Sequence, residues 1–156
     1  MINKYLTLSA RIKQELSEIN LSIERAKKAW EKAHIQSDSL FLDSVALNLH
    51  DFYGGLERIF ELIAESLDGV KPVGANWHQE LLRQMTVEIP KIRPAVLDVD
   101  LRKELDDYRA FRHIVRNVYA HNFLPEKMKP LVEKIDDIYS KLKEQLEKFC
   151  DFLENI

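Results

Sequence analysis

The chain has 156 residues, 46% hydrophobic and 31% charged, with a formal net charge of −3. That size fits one domain over residues 1–156, and the acidic balance leaves no global pull toward nucleic acid or membrane, so any such affinity has to be local. The single cysteine, Cys150, excludes an intrachain disulfide and argues against a cysteine metal site, while only four Gly among many Leu, Glu, Lys and Ala point to an all-α fold.

The opening MINKYLTLSARIKQELSE is charged early and lacks the apolar core of a signal peptide. No apolar run nears the roughly 18 residues of a membrane span, so a cytoplasmic protein is expected. In the first predicted helix, residues 3–34, Ile12, Leu16, Ile19, Ile23, Ala26 and Trp30 form one apolar seam. Its end, RAKKAWEKAH, is cationic and suits the helix dipole. QSDS (36–39) reads as a break with an N-cap.

A second helix is predicted over about 39–67, with a broad apolar face that includes Val45, Leu49, Phe52, Leu56, Phe60 and Ile63. Gly54-Gly55 interrupts it, and two helical glycines need a reason: close approach of a neighbouring backbone, or a bend. DGVKPVG (68–74) reads as a loop with Gly69 as C-cap, and 76–85 as a short helix capped by Asn76. Pro90 and Pro94 keep the next stretch irregular. A fourth helix is predicted over about 100–121, capped by Asp98 or Asp100 and ended by Asn122 and Pro125. The last begins near Pro125, and Met128, Leu131, Ile135, Ile138, Leu142, Leu146, Phe149 and Leu153 give it a continuous seam. These elements predict an antiparallel bundle of four or five helices, and its two long seams suggest a homodimer.

On the fourth helix Leu105, Tyr108, Phe111, Val115, Val118 and Tyr119 form the expected core face. Arg109, Arg112, His113 and Arg116 share the opposite arc at i, i+3, i+4, i+7. The plain reading is a solvated or salt-bridged face. The sharper one is a stripe that takes an anion, from acidic neighbours or from phosphate, because stacked like charges repel. Arg116 and His121 stand five residues apart, and on an ideal helix they point about 140° apart. They converge only if the helix frays at His121, or if a second copy supplies the partner across a two-fold axis.

The segment RNVYAHNF (116–123) resembles the signature of the HEPN superfamily, specifically the HepT-like ribonuclease toxins. That signature reads Arg, a polar residue often Asn, three further residues, His, one residue, Tyr. FYGGLERIFELIAESLDG, WHQELLRQM and YRAFRHIVRNVYAH are similar to HepT-like segments in the same order, so the likeness spans about residues 45–135. It implies an all-α HEPN bundle acting as a homodimeric, metal-independent endoribonuclease with no cofactor. By position, Arg116 would bind and polarise the scissile phosphate, His121 would be the general acid/base, and Asn117 a supporting polar group. Arg109, Arg112 and His113 would bind RNA phosphate. Two copies of His121 across the dimer axis would serve as base and acid.

The family commonly pairs such a toxin with an adjacently encoded nucleotidyltransferase antitoxin that adenylylates the motif Tyr. Here that position is Phe123, which has no hydroxyl, so Tyr119 would be the substitute modification site, or simple masking by a partner protein would serve instead. The alternative, from another class, is a non-catalytic HEPN-like helical module that binds a partner protein or nucleotide. The chemistry suits the residues: a histidine transfers protons at neutral pH, and a guanidinium matches a multi-oxygen phosphate. His50-Asp51 reads as a structural polar pair and Trp77-His78 as packing and capping. His34 has no partner pattern, and the five histidines show no zinc spacing.

Overall fold

The structure, a computed structural model, describes residues 2–156. Among the described residues there are five α-helices: α1 (Ile2–Ile35), α2 (Leu40–Ile63), α3 (Trp77–Gln84), α4 (Val99–Asn117) and α5 (Pro125–Glu154). The only extended pairing among them is an isolated bridge between Ile89 and Arg93. The protein is an all-α helical bundle. None of the described helices is long and apolar enough to cross a membrane.

Side-chain pairings set the helix directions. Ile19 and Glu15 of α1 meet Gly55 and Arg58 of α2, so these two run antiparallel. Ser9 bonds Glu154 and the Leu16 carbonyl accepts from Tyr139, which orients α5 antiparallel to α1. Asp98 with Gln145 and Glu104 with Lys141 do the same for α4 against α5. The α1 seam from Leu8 to Ala29 and the α5 seam from Met128 to Leu153 are both buried within one chain. They therefore leave no bare stripe for a second copy, and a dimer would have to use another face.

Both glycines of α2 sit in contacts. A Cβ on Gly55 would lie 2.8 Å from Ile19 Cγ1, so the bare backbone lets α1 and α2 approach. Gly54 faces the Arg112 side chain of α4. In QSDS, Asp38 caps α2 by accepting from the Leu40 N–H at 3.0 Å. The α2 axis continues through a π-helical turn, Ala64–Asp68, which Gly69 ends in the left-handed conformation at φ 70°.

Asn76 makes no side-chain cap, contrary to expectation, because its backbone is not in the extended conformation that aims a capping oxygen at the first turn. Of the two candidate caps for α4, Asp98 is the one, accepting from the Leu101 N–H at 2.7 Å. The irregular stretch before α4 is held by Arg93, whose side chain is fully buried against Asp68. α5 continues through Pro130. On its next residue, the Leu131 carbonyl accepts from the buried Tyr108 hydroxyl at 2.6 Å and ties α5 to α4.

The fourth helix is shorter than expected. It ends at Asn117 rather than near 121, and Val118 and Tyr119 are extended before a 3₁₀ turn over Ala120–Asn122. The Asn117 amide donates to the His113 carbonyl at 2.7 Å, a local bond of the kind that competes with helix propagation. As a result Val118 and Tyr119 leave the core face assigned to them: Tyr119 is 78% exposed. Leu105, Tyr108 and Phe111 are buried as expected, with Val115 packed partly against them.

Candidate active site

The basic face of α4 does not point at bare solvent. Arg109 Nε donates to Asp106 Oδ1 one turn back at 2.7 Å. Arg112 reaches across to α2, where its Nη1 donates to Glu57 Oε1 at 3.0 Å. Gly54 lies beside that reach, and even a built Cβ would stay 3.7 Å from Arg112 Nε, so the reach does not depend on glycine there. Glu57 itself is only 3% exposed, and its second oxygen lies 2.7 Å from His78 Nδ1 on α3. One buried carboxylate on α2 thus holds a cation from α4 and an imidazole from α3. A buried charge left without such partners would be costly.

Beside this junction lies a shallow cavity of about 40 Å³ lined by His78, Arg109, Arg112, His113 and Arg116. It is large enough for a water or a single oxyanion group and is surrounded by donors. Arg116 is exposed and makes no ion pair among the described residues. The cavity therefore carries a net positive lining with one guanidinium uncommitted, which is what a phosphate needs.

His121 lies beyond the end of α4. The extended residues Val118 and Tyr119 carry the chain away from the helix axis before the 3₁₀ turn. His121 is exposed, and its ring runs nearly parallel to that of Tyr119, with centroids 5.5 Å apart and an 11° interplanar angle. Phe123 turns inward and packs against the core. The break between Arg116 and His121 removes the helical geometry that would splay the two side chains. His121, Asn117 and Tyr119 are outside the cavity lining that holds Arg116.

A family model described as HepT-like protein matches residues 44–153. The chain belongs to the HepT-like family. No curated protein and no solved structure gives a significant match. The matched span of this HepT-like chain begins in α2 and includes Glu57, His78, the α4 stripe and the Arg116–His121 segment.

Of the residues singled out from sequence, Arg109, Arg112, His113 and Arg116 converge on one cavity. Two others were missed as site components. His78 was read as packing, and it does stack on Trp77 with centroids 3.6 Å apart, yet it also lines the cavity. Glu57 was not singled out, although a carboxylate at the core register set by Tyr53, Leu56 and Phe60 was a legible signal. The remaining histidines are plainer. His34 Nδ1 lies 2.8 Å from the Trp30 carbonyl, and His50 is 3.4 Å from the half-exposed Asp51. No group of three or more His, Cys, Asp or Glu among the described residues is placed to hold a metal ion.

Proposed function

We propose that this HepT-like protein is a metal-independent endoribonuclease, the toxin of a module whose antitoxin is a nucleotidyltransferase. The observation that carries the reading is the break in α4: Arg116 and His121 are both solvent-exposed and separated by extended rather than helical backbone. Neither is spent on core packing, as a purely structural pair would be.

In the proposed chemistry the Arg116 guanidinium takes the charge that develops on the phosphoryl oxygens as the 2′-hydroxyl attacks. His121 transfers one of the two protons. Asn117, whose amide is turned to the His113 carbonyl, shapes the end of the helix between them. The already paired Arg109 and Arg112 add positive potential for the neighbouring backbone phosphates.

A homodimer fits the groove between α4 and α5, lined by Tyr108, Phe111, Ile114 and Leu131. Glu104 and Asp107 edge it from α4, Lys127 and Lys134 from α5, so a two-fold axis can set acid against base. Adenylylation would fall on the exposed Tyr119 beside His121, because Phe123 is packed inward and has no hydroxyl.

A second reading, a non-catalytic module that binds a partner protein or nucleotide, draws on the carboxylate partners of Arg109 and Arg112. Incubating the purified protein with RNA in excess chelator decides between them. The enzyme reading predicts cleavage by the wild type and its loss in Arg116→Ala and His121→Ala. Binding without cleavage supports the module instead.

A further inference from the structure

Cleavage by the 2′-hydroxyl needs two proton transfers, and His121 accounts for one. Two other histidines share a cavity with Arg116, His78 and His113, and of these it is His78 that has a carboxylate partner. Its Nδ1 lies 2.7 Å from Glu57 Oε2, and an ionised carboxylate only accepts, so Nδ1 carries the proton of that contact. Nε2 is then the nitrogen left free to exchange a proton. The ring is held on its face by Trp77 at 3.6 Å, while about a quarter of the side chain (28%) stays open to solvent.

The other four histidines lack this arrangement. His34 contacts a backbone carbonyl, and His50 a carboxylate that is itself 52% exposed. His113 and His121 have no acidic partner among the described residues. Among the described residues only His78 is backed by a buried carboxylate, the arrangement that fixes a ring's tautomer and stabilises the imidazolium formed when it takes a proton.

We propose that His78 is the general base of the cleavage reaction, with Glu57 as its positioning residue, an inference that rests on the ribonuclease reading above. The 2′-hydroxyl proton passes to His78 Nε2 as the 2′-oxygen bonds to phosphorus. The bond from phosphorus to the 5′-oxygen then breaks, and that oxygen takes its proton from His121. The products are a 2′,3′-cyclic phosphate and a 5′-hydroxyl, with Arg116 facing the phosphorus from the same cavity as the base. Base and acid are then different histidines, so the two copies of His121 in a dimer need not divide the roles.

The test compares an RNA oligonucleotide with its analogue carrying sulfur at the scissile 5′ position, a thiolate that leaves without an acid. His78→Gln keeps a donor toward Glu57, and so the fold, but cannot serve as base. It should lose ~100-fold or more in kcat on both substrates with little change in KM. His121→Ala should be slow on the ordinary substrate and recover on the thiolate one. Added imidazole should restore part of the rate of His78→Ala, which a merely structural residue would not allow. Cleavage of both substrates by His78→Gln at the wild-type rate overturns the inference, and so does its recovery on the thiolate substrate alone. If wild-type protein cleaves neither substrate, the ribonuclease reading itself fails.

Discussion

Replacing Arg93 by Met should be among the most damaging single changes outside the apolar core. The Arg93 side chain is 0% and that of Asp68 1% exposed. Nε and Nη2 donate to the two Asp68 oxygens at 2.6 and 2.8 Å. The remaining donors reach the carbonyls of Val87 at 2.9 Å, Pro94 at 3.0 Å and Gln84 at 3.2 Å. Methionine keeps the apolar stem but strands a buried carboxylate, a loss of about 3–5 kcal/mol. A domain of this kind has only about 5–15 kcal/mol in all. With a urea slope of about 2 kcal/mol per M, the midpoint should fall by about 2 M.

The partner double replacement, Arg93→Met with Asp68→Leu, removes the stranded charge but still leaves the Val87 and Pro94 carbonyls without donors, each worth about 1 kcal/mol, while the Gln84 carbonyl keeps the Val87 N–H. It should therefore recover only part of the loss. Urea denaturation followed by far-UV circular dichroism measures both. A loss under 1 kcal/mol for Arg93→Met, or full recovery in the double variant, would refute the view that this arginine organises the connection into α4.

The two adjacent glycines should respond in opposite directions. Gly55→Ala drives a Cβ to 2.8 Å from Ile19 Cγ1 and should cost about 1–3 kcal/mol by overpacking, read as a lower thermal midpoint. Gly54→Ala meets nothing closer than 3.7 Å and should gain about 0.5–1 kcal/mol from helix propensity in the same melt. The Tyr53 hydroxyl is buried without a hydrogen-bond partner, so Tyr53→Phe should be stabilising by about 1 kcal/mol on denaturation, against the usual sign for a core change. Burial pushes the Cys150 thiol above its ordinary value of 9.0. Its folded value being raised, its contribution to stability is whole below that pH and declines as pH climbs past it. A thiol reagent at pH 8 should accordingly label the native protein far more slowly than the urea-unfolded chain.

The helical framework could be read from sequence because it rests on local rules. Seams at steps of three and four, prolines at Pro90, Pro94 and Pro125, and glycine at the end of α2 each act within a turn or two of their own position. The end of α4 could not, since hydrophobic Val118 and Tyr119 continue the helical pattern while the Asn117 side chain bonds back to His113. The α4 stripe was legible as a demand for anions, but not who answers it. Glu57 lies 55 residues before Arg112, and the two meet only because α2 and α4 pack together in the fold. His78 escaped for the same reason, its meaning residing in a contact with Glu57 made by tertiary packing.

The central claim is that Arg116 and His121 cleave RNA through its own 2′-hydroxyl, and the chemical ends of the product test it most directly. A defined oligoribonucleotide is incubated with purified protein in chelator, and the fragments are weighed by mass spectrometry. The account predicts a 2′,3′-cyclic phosphate, or the 3′-phosphate to which it hydrolyses, opposite a 5′-hydroxyl, and far slower release of fragments by His121→Ala. A 3′-hydroxyl opposite a 5′-phosphate, or equal cleavage by His121→Ala, would contradict it.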